Sequence, residues 1–234
     1  MMELKIKEHE TIDTFLNGKL RIIQSRQGYR FSVDALLLAG FVSIKSEDFV
    51  VDLGAGCGII SLFLASEREV GFVVGLELQE ELASQAKRNI VLNEFEDKIA
   101  IIQGDLRHLP VAPGFAHVVV CNPPFRKEKS GRINPDFSKA IARHELAVSL
   151  DDIVAAGKVL LKPGGRLALI YPANRLTELF EKMRVQELEP KRLQIIFPDS
   201  TSHAKLAMVE GRLEGKSGLK ILPPIFGQGP FSVP

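Results

Sequence analysis

Phe49-Val50-Val51-Asp52-Leu53-Gly54-Ala55-Gly56-Cys57-Gly58 decides the fold. An apolar strand runs into an acid, glycines recur at alternate positions, and Ile59-Ile60-Ser61-Leu62-Phe63-Leu64-Ala65 then opens a helix. Glycine is needed where a backbone turns sharply and must lie close to a ligand with no Cβ between them. A strand, a glycine loop and a helix in that order start an open α/β sheet, whose ligands bind at the carboxyl ends of its strands.

The spacing narrows the ligand. A dinucleotide fingerprint would need its last glycine at position 59, where Ile59 stands. G-x-G-x-G favours S-adenosylmethionine over NAD, with the ligand's amino-acid carboxylate near the helix N-terminus in place of a pyrophosphate. Asp52, Gly54, Ala55, Gly56 and Gly58 are therefore cofactor-binding candidates. Glu77 ends the next apolar run, Phe72-Val73-Val74-Gly75-Leu76, at a distance that suits an acid on the ribose hydroxyls, with Leu78 beside it. A third acid, Asp105, follows Ile99-Ala100-Ile101-Ile102; it suits the exocyclic amine of the cofactor's adenine, with Leu106 against the ring, and it also reads as a plain turn.

The reaction is written in Asn122-Pro123-Pro124-Phe125, which closes the run Ala116-His117-Val118-Val119-Val120-Cys121. The lone pair of a planar amino group is delocalised and a poor nucleophile. An Asn side-chain oxygen and a backbone carbonyl freed by proline can hold both N–H hydrogens and push the nitrogen toward a pyramidal shape. An aromatic face at Phe125 then stacks on the ring. The four residues are the catalytic candidates, Asn122 also touching the cofactor. Taken alone, the tetrapeptide reads more readily as a turn, because proline lacks an amide donor and Asn before Pro starts turns.

Four elements in order, each closing an expected strand, resemble the class I S-adenosylmethionine-dependent amino-methyltransferases. The expected fold is α/β: a Rossmann-like sheet of seven strands, the last antiparallel, behind a short N-terminal hairpin and helix. With 234 residues and 45% hydrophobic content the chain can bury one substantial core. One domain is expected over 1–234, with the hairpin and helix in 1–45, the core in 46–221 and an extended tail in 222–234. Asn17-Gly18 marks the hairpin turn, and Ser32 the N-cap of a helix from Val33 to Phe41. Glu80 to Asn93 is an expected helix with Leu82, Ala86 and Ile90 inward, and another starts near Asp151 and stops at Lys162-Pro163-Gly164-Gly165. Arg192 to Phe197 and Lys205 to Leu213 pair as the closing hairpin.

Composition excludes several classes. A net charge of +1 advertises no global nucleic-acid field, so such a contact has to be local. Residues 126–143 supply one: Arg126, Lys127, Lys129, Arg132, Lys139 and Arg143 stand against Glu128 and Asp136. The two cysteines, Cys57 and Cys121, fall inside the motifs, expected as neighbouring reduced thiols without a functional disulfide; no metal-site spacing, signal peptide or membrane span is expected, and the setting is cytoplasmic.

The resemblance narrows further. Tyr29-Arg30-Phe31-Ser32-Val33-Asp34-Ala35-Leu36-Leu37-Leu38-Ala39, DLGAGCGI, NPPF, Ala142-Arg143-His144-Glu145, residues 160–166 and residues 218–224 look like the bacterial tRNA1(Val) adenine-N6-methyltransferase family. The likeness covers nearly the whole chain. It implies methylation of an adenine beside the anticodon of a tRNA, extruded from its stack, with S-adenosylmethionine as cofactor. It also implies that Tyr29, Arg30, Phe31, Ser32 and Asp34 cap the methionine end of the donor. Many members of that family carry Tyr at the position of Phe125, so stacking survives here without the hydroxyl. His144 and Glu145 are read as structural or RNA-contacting. Two other readings stay open: glutamine N5-methylation of a protein such as a release factor, and a non-catalytic RNA-binding module on the same fold.

Overall fold

The computed structural model describes residues 6–26, 30–123 and 148–227. Two strands, β1 (Glu10–Phe15) and β2 (Leu20–Ser25), form an antiparallel hairpin. Helix α1 (Val33–Phe41) follows, then β3 (Phe49–Leu53), α2 (Ile59–Glu67), β4 (Phe72–Glu77), α3 (Glu80–Leu92), β5 (Ile99–Gln103) and β6 (Ala116–Cys121). The second half holds α4 (Leu150–Leu160), β7 (Leu161–Pro172), α5 (Leu176–Val185), β8 (Leu188–Phe197) and β9 (Leu206–Leu213). Two short strands, β10 (Lys220–Ile221) and β11 (Ile225–Phe226), both lie along β8.

Across the main sheet the order is β5-β4-β3-β6-β7-β9-β8. The first five are parallel, and β9 lies between β7 and β8, antiparallel to both. The chain moves outward from β3 through β4 to β5 and then returns to the other flank of β3 as β6. That reversal leaves a crevice at the carboxyl ends of β3 and β6, the usual place for a ligand in such a sheet.

Successive side chains of a strand face opposite sides. Val50, Val118, Val120, Ala168 and Ile170 pack with α1, α2, α3 and the hairpin, whereas Val51, Leu53, Val119, Cys121, Leu167 and Leu169 pack with α4 and α5. Covered on both faces, the strands read as unbroken apolar runs rather than alternating ones.

Three local expectations need correcting. The sheet has nine strands among the described residues, not seven, because β10 and β11 extend its edge. Leu222 N donates to Leu193 O, but Pro223 and Pro224 have no amide to donate, so the added strand comes in two pieces. The helix expected near Asp151 does start there, at Leu150, because Ser149 is its cap (Ser149 Oγ accepts from Asp152 N, while Asp152 Oδ2 accepts from Ser149 N at 2.8 Å), but it ends early, at Leu160. Residues 162–165 then lie inside β7, which pairs with β6 through a register shift. On α3 the buried face holds Ala83, Ala86 and Ile90, with Leu82 only half-buried.

The hairpin is fastened by a buried ion pair. Arg88 of α3 places Nη1 and Nη2 each 2.6 Å from the Glu10 carboxylate, and Glu10 is 3% exposed. Burial alone would raise the carboxyl pKa, but the Arg88 guanidinium and the Lys7 amide outweigh it and hold Glu10 at about 2. The pair's contribution is therefore complete above the ordinary carboxyl value of 4.5 and is lost as pH falls through about 2. Arg88→Ala strands a buried carboxylate and should lower stability by about 3–5 kcal/mol at neutral pH. Urea midpoints across pH check this: the gap to the wild type is widest above 4.5 and narrows toward 2.

Candidate active site

The turn after β3 is shaped by its glycines. Gly54, Gly56 and Gly58 have φ of 72°, 58° and 85°, a region that side chains with a Cβ avoid. Gly54 N and Ala55 N donate to Leu76 O at 2.8 and 3.0 Å, folding the loop over the end of β4. An added Cβ on Gly54 would meet nothing within 4 Å, so the backbone there is open to an incoming group.

Glu77, 2% exposed, ends β4 beneath that loop. Its Oε2 accepts from Gly56 N and its Oε1 from Gln79 N, both at 2.8 Å. Asp52 is buried on β3, with Ser61 Oγ donating to its Oδ2 at 2.8 Å and no partner for Oδ1 among the described residues. Burial, aided by the negative charge of Glu77, pushes the Asp52 carboxyl up to about 7. The structure thus turns Asp52 inward onto α2. At the end of β5, Asp105 is gripped by its neighbour: Arg107 Nη2 lies 2.5 Å from Oδ2, and this hydrogen bond chiefly lowers the Asp105 carboxyl to about 2. Leu78, Gly104, Asp105, Leu106, Val148 and Gly54 line a small, mostly apolar hollow, partly open to solvent.

Half-buried Asn122 follows β6 directly, with Pro123 buried behind it. Cys121 pairs with Leu53 on one side and Leu169 on the other. Asn122 and Gly54 therefore each stand one residue beyond a paired position on adjacent strands, about 4.8 Å apart in the sheet. Cys57 and Cys121 are buried free thiols, raised to about 12 and further by desolvation, so neither offers a nucleophile.

The remaining candidates divide. Phe31 is buried edge-on against Phe15 of the hairpin at 4.6 Å. Arg30 Nη2 pairs with Asp13 at 2.5 Å. Ser32 occupies the N-cap position of α1 without a side-chain capping bond, and Asp34 lies in its first turn. Tyr29, Pro124, Phe125, Arg126, Lys127, Lys129, Arg132, Lys139, Arg143, His144 and Glu145 lie outside the described residues. Sequence reasoning missed Val148 in the hollow, and Asn89, whose amide reaches the glycine loop from α3. For Asn89 a signal existed: Asn89 and Asn93 are four apart, on one side of a helix.

The chain matches the family described as "Methyltransferase small domain" over residues 32–189. It is 31% identical over 175 residues to the tRNA1(Val) (adenine(37)-N6)-methyltransferase of Porphyromonas gingivalis W83, covering 71% of this chain and 68% of that one. The protein of the same name from Parabacteroides distasonis is 26% identical over 193 residues, covering 82% and 80%. Among solved structures, a predicted O-methyltransferase from Agrobacterium tumefaciens superposes with a TM-score of 0.65 at 21% identity, covering 82% of this chain and 86% of that one. At that identity it speaks for the fold alone.

Sheet order, glycine loop and carboxyl-edge hollow define a methyltransferase of the doubly wound α/β class that uses S-adenosylmethionine. The chain belongs to the methyltransferase small-domain family, in the company of the relatives just named. Its residues fit the donor: the hollow between Leu78 and Leu106 has the apolar walls an adenine ring needs, with a carboxylate at its rim.

Gly54→Ala tests the fit, because it adds a methyl group where no protein atom lies. The left-handed conformation should cost about 1–2 kcal/mol of stability. Calorimetric titration with S-adenosylmethionine should show binding weakened about tenfold or more, beyond what the small loss in urea midpoint explains.

Proposed function

We propose that this enzyme methylates N6 of an adenine in a tRNA, beside the anticodon of a valine tRNA, in the cytoplasm. The observation that carries this reading is the position of Asn122-Pro123, one residue beyond the pairing of β6 with β3 and level with the glycine loop. The names of the relatives point to the same acceptor.

When bound, S-adenosylmethionine supplies a methyl group on a positively charged sulfur. The protein's part is to present the nitrogen. The Asn122 amide oxygen accepts one N6–H and the Pro123 carbonyl accepts the other, which draws the lone pair out of conjugation and aims it along the edge toward Gly54. Transfer would join the methyl carbon to N6 and leave the electron pair of the broken C–S bond on the donor's sulfur, and the surplus N6 proton would leave to solvent. No general base is required, consistent with a site whose buried carboxylates, Asp52 and Glu77, are already engaged by Ser61 and by backbone amides.

An adenine in a folded RNA has to leave its stack to reach this edge, and an aromatic side chain at Phe125 supplies a replacement surface. The six cations of residues 126–143 suit phosphate contacts, whose strength falls with salt.

Asn122→Ala should lower methyl transfer to tRNA by about a hundredfold or more while binding of S-adenosylmethionine changes less than about threefold. Labelled donor with total tRNA, followed by nucleoside mass spectrometry for N6-methyladenosine, measures the first quantity. Label appearing in a release factor and not in tRNA would replace adenine by glutamine as the acceptor.

A further inference from the structure

The hairpin of β1 and β2 is held to α3 by an arrangement that also reaches the donor site. Asn89 Oδ1 accepts from Ile23 N at 2.6 Å and its Nδ2 donates to Ile23 O at 3.2 Å. One turn later Asn93 repeats the pattern on Arg21, accepting from its N at 2.8 Å and donating to its O at 2.7 Å. Residues four apart on a helix rise about 6 Å, and residues two apart on a strand advance about 6.8 Å. One amide on α3 and one at its C-cap therefore match two outward-facing peptide groups of β2 and serve as that strand's neighbour.

Asn89 does one thing more. Its second Nδ2 hydrogen goes to Cys57 O at 2.9 Å, inside the glycine loop. Asn89 is 0% exposed and Cys57 1%, so this bond has no water to compete with it. A held carbonyl fixes the plane of the following peptide, here the one entering Gly58, whose φ of 85° starts α2. From the other flank Glu77 holds Gly56 N. The loop is thus gripped on both sides of Cys57, by β4 and by α3.

We propose that Asn89 is a positioning residue for methyl-donor binding, which couples docking of the hairpin to the shape of the glycine loop. Both amides have a donor beyond the ladder: Asn93 gives its own to Asn89 O at 2.7 Å, within the helix, whereas Asn89 gives its own to the loop. No other side chain of that size offers two hydrogens and an acceptor together, since Asp would lose both donors and bury a charge. The proposal does not depend on which acceptor is methylated. Coupling of this kind is reciprocal: if the docked hairpin favours the loop that binds donor, bound donor must stabilise docking to the same extent.

The test compares two truncations on the intact protein. Asn89→Ala removes its two ladder bonds and the loop bond; Asn93→Ala removes its two ladder bonds and a bond to Asn89 O within the same helix, and none to the loop. By calorimetric titration, Asn89→Ala should weaken S-adenosylmethionine binding about tenfold and Asn93→Ala less than about threefold, and at saturating donor the turnover of Asn89→Ala should stay within about threefold of wild type. Binding by Asn89→Ala within twofold of the wild type overturns the proposal, as does equal weakening by both variants. Hydrogen exchange on the wild type decides the question even if Asn89→Ala does not fold. Saturating S-adenosylmethionine should slow exchange of the Arg21 and Ile23 amides about fivefold, and unchanged exchange there overturns the coupling.

Discussion

Everything at the working edge of this protein depends on the parallel pairing of β3 with both β4 and β6. Leu53 is level with Leu76 on one side and with Cys121 on the other. That shared register is what brings a glycine loop, an acid and an Asn-Pro turn, spread over some seventy residues of sequence, onto one line. A shift of one residue would turn Val51, Leu53, Val119 and Cys121 to the wrong face of the sheet, away from α4 and α5. The core that fixes the register thereby fixes the site. No residue of the site needs to stabilise its own position by much.

Polar groups beneath that edge are arranged with little slack. Glu77 accepts from two backbone amides, whereas Asp52 turns to Ser61 and has a raised pKa. Two carboxylates so close and so buried are tolerable because one is solvated by peptide dipoles and the other can stay protonated near neutrality. The hairpin follows a different logic. Glu10 and Arg88 meet in a dry seam and satisfy each other, and the asparagine amides complete the open side of β2. Breaking either set costs more than the set contributes, because the partner is left buried.

Much of the fold was legible because the strands are apolar runs that end on glycine or an acid, and the helices start at polar caps. The glycine loop at 54–58 and the acid at 77 declared a sheet with its ligand at the carboxyl ends, and the family likeness followed from the order of the motifs. What was not legible depended on contacts far apart in the chain. Leu82 looks inward by spacing, yet the hairpin shifts the buried face of α3 toward Ala83, Gln85 and Asn89. Asp105 closes a local turn onto Arg107, as its sequence also allowed, but local sequence could not show that Asp52 would face Ser61, because that direction is set by the packing of α2 on β3. Nor could it show that two-residue strands would form around Pro223 and Pro224, since β8 supplies the partner.

The placement of β9 between β7 and β8 has a consequence for synthesis of the chain. A ribosome releases β7 well before residues 206–213, so the strand beside β6 waits with a bare row of amides and carbonyls along its outer side. The nascent sheet can assemble from β5 to β7 in sequence order, but only the late strand seals it. During that interval the outer side of β7 is open to stray pairing with other chains.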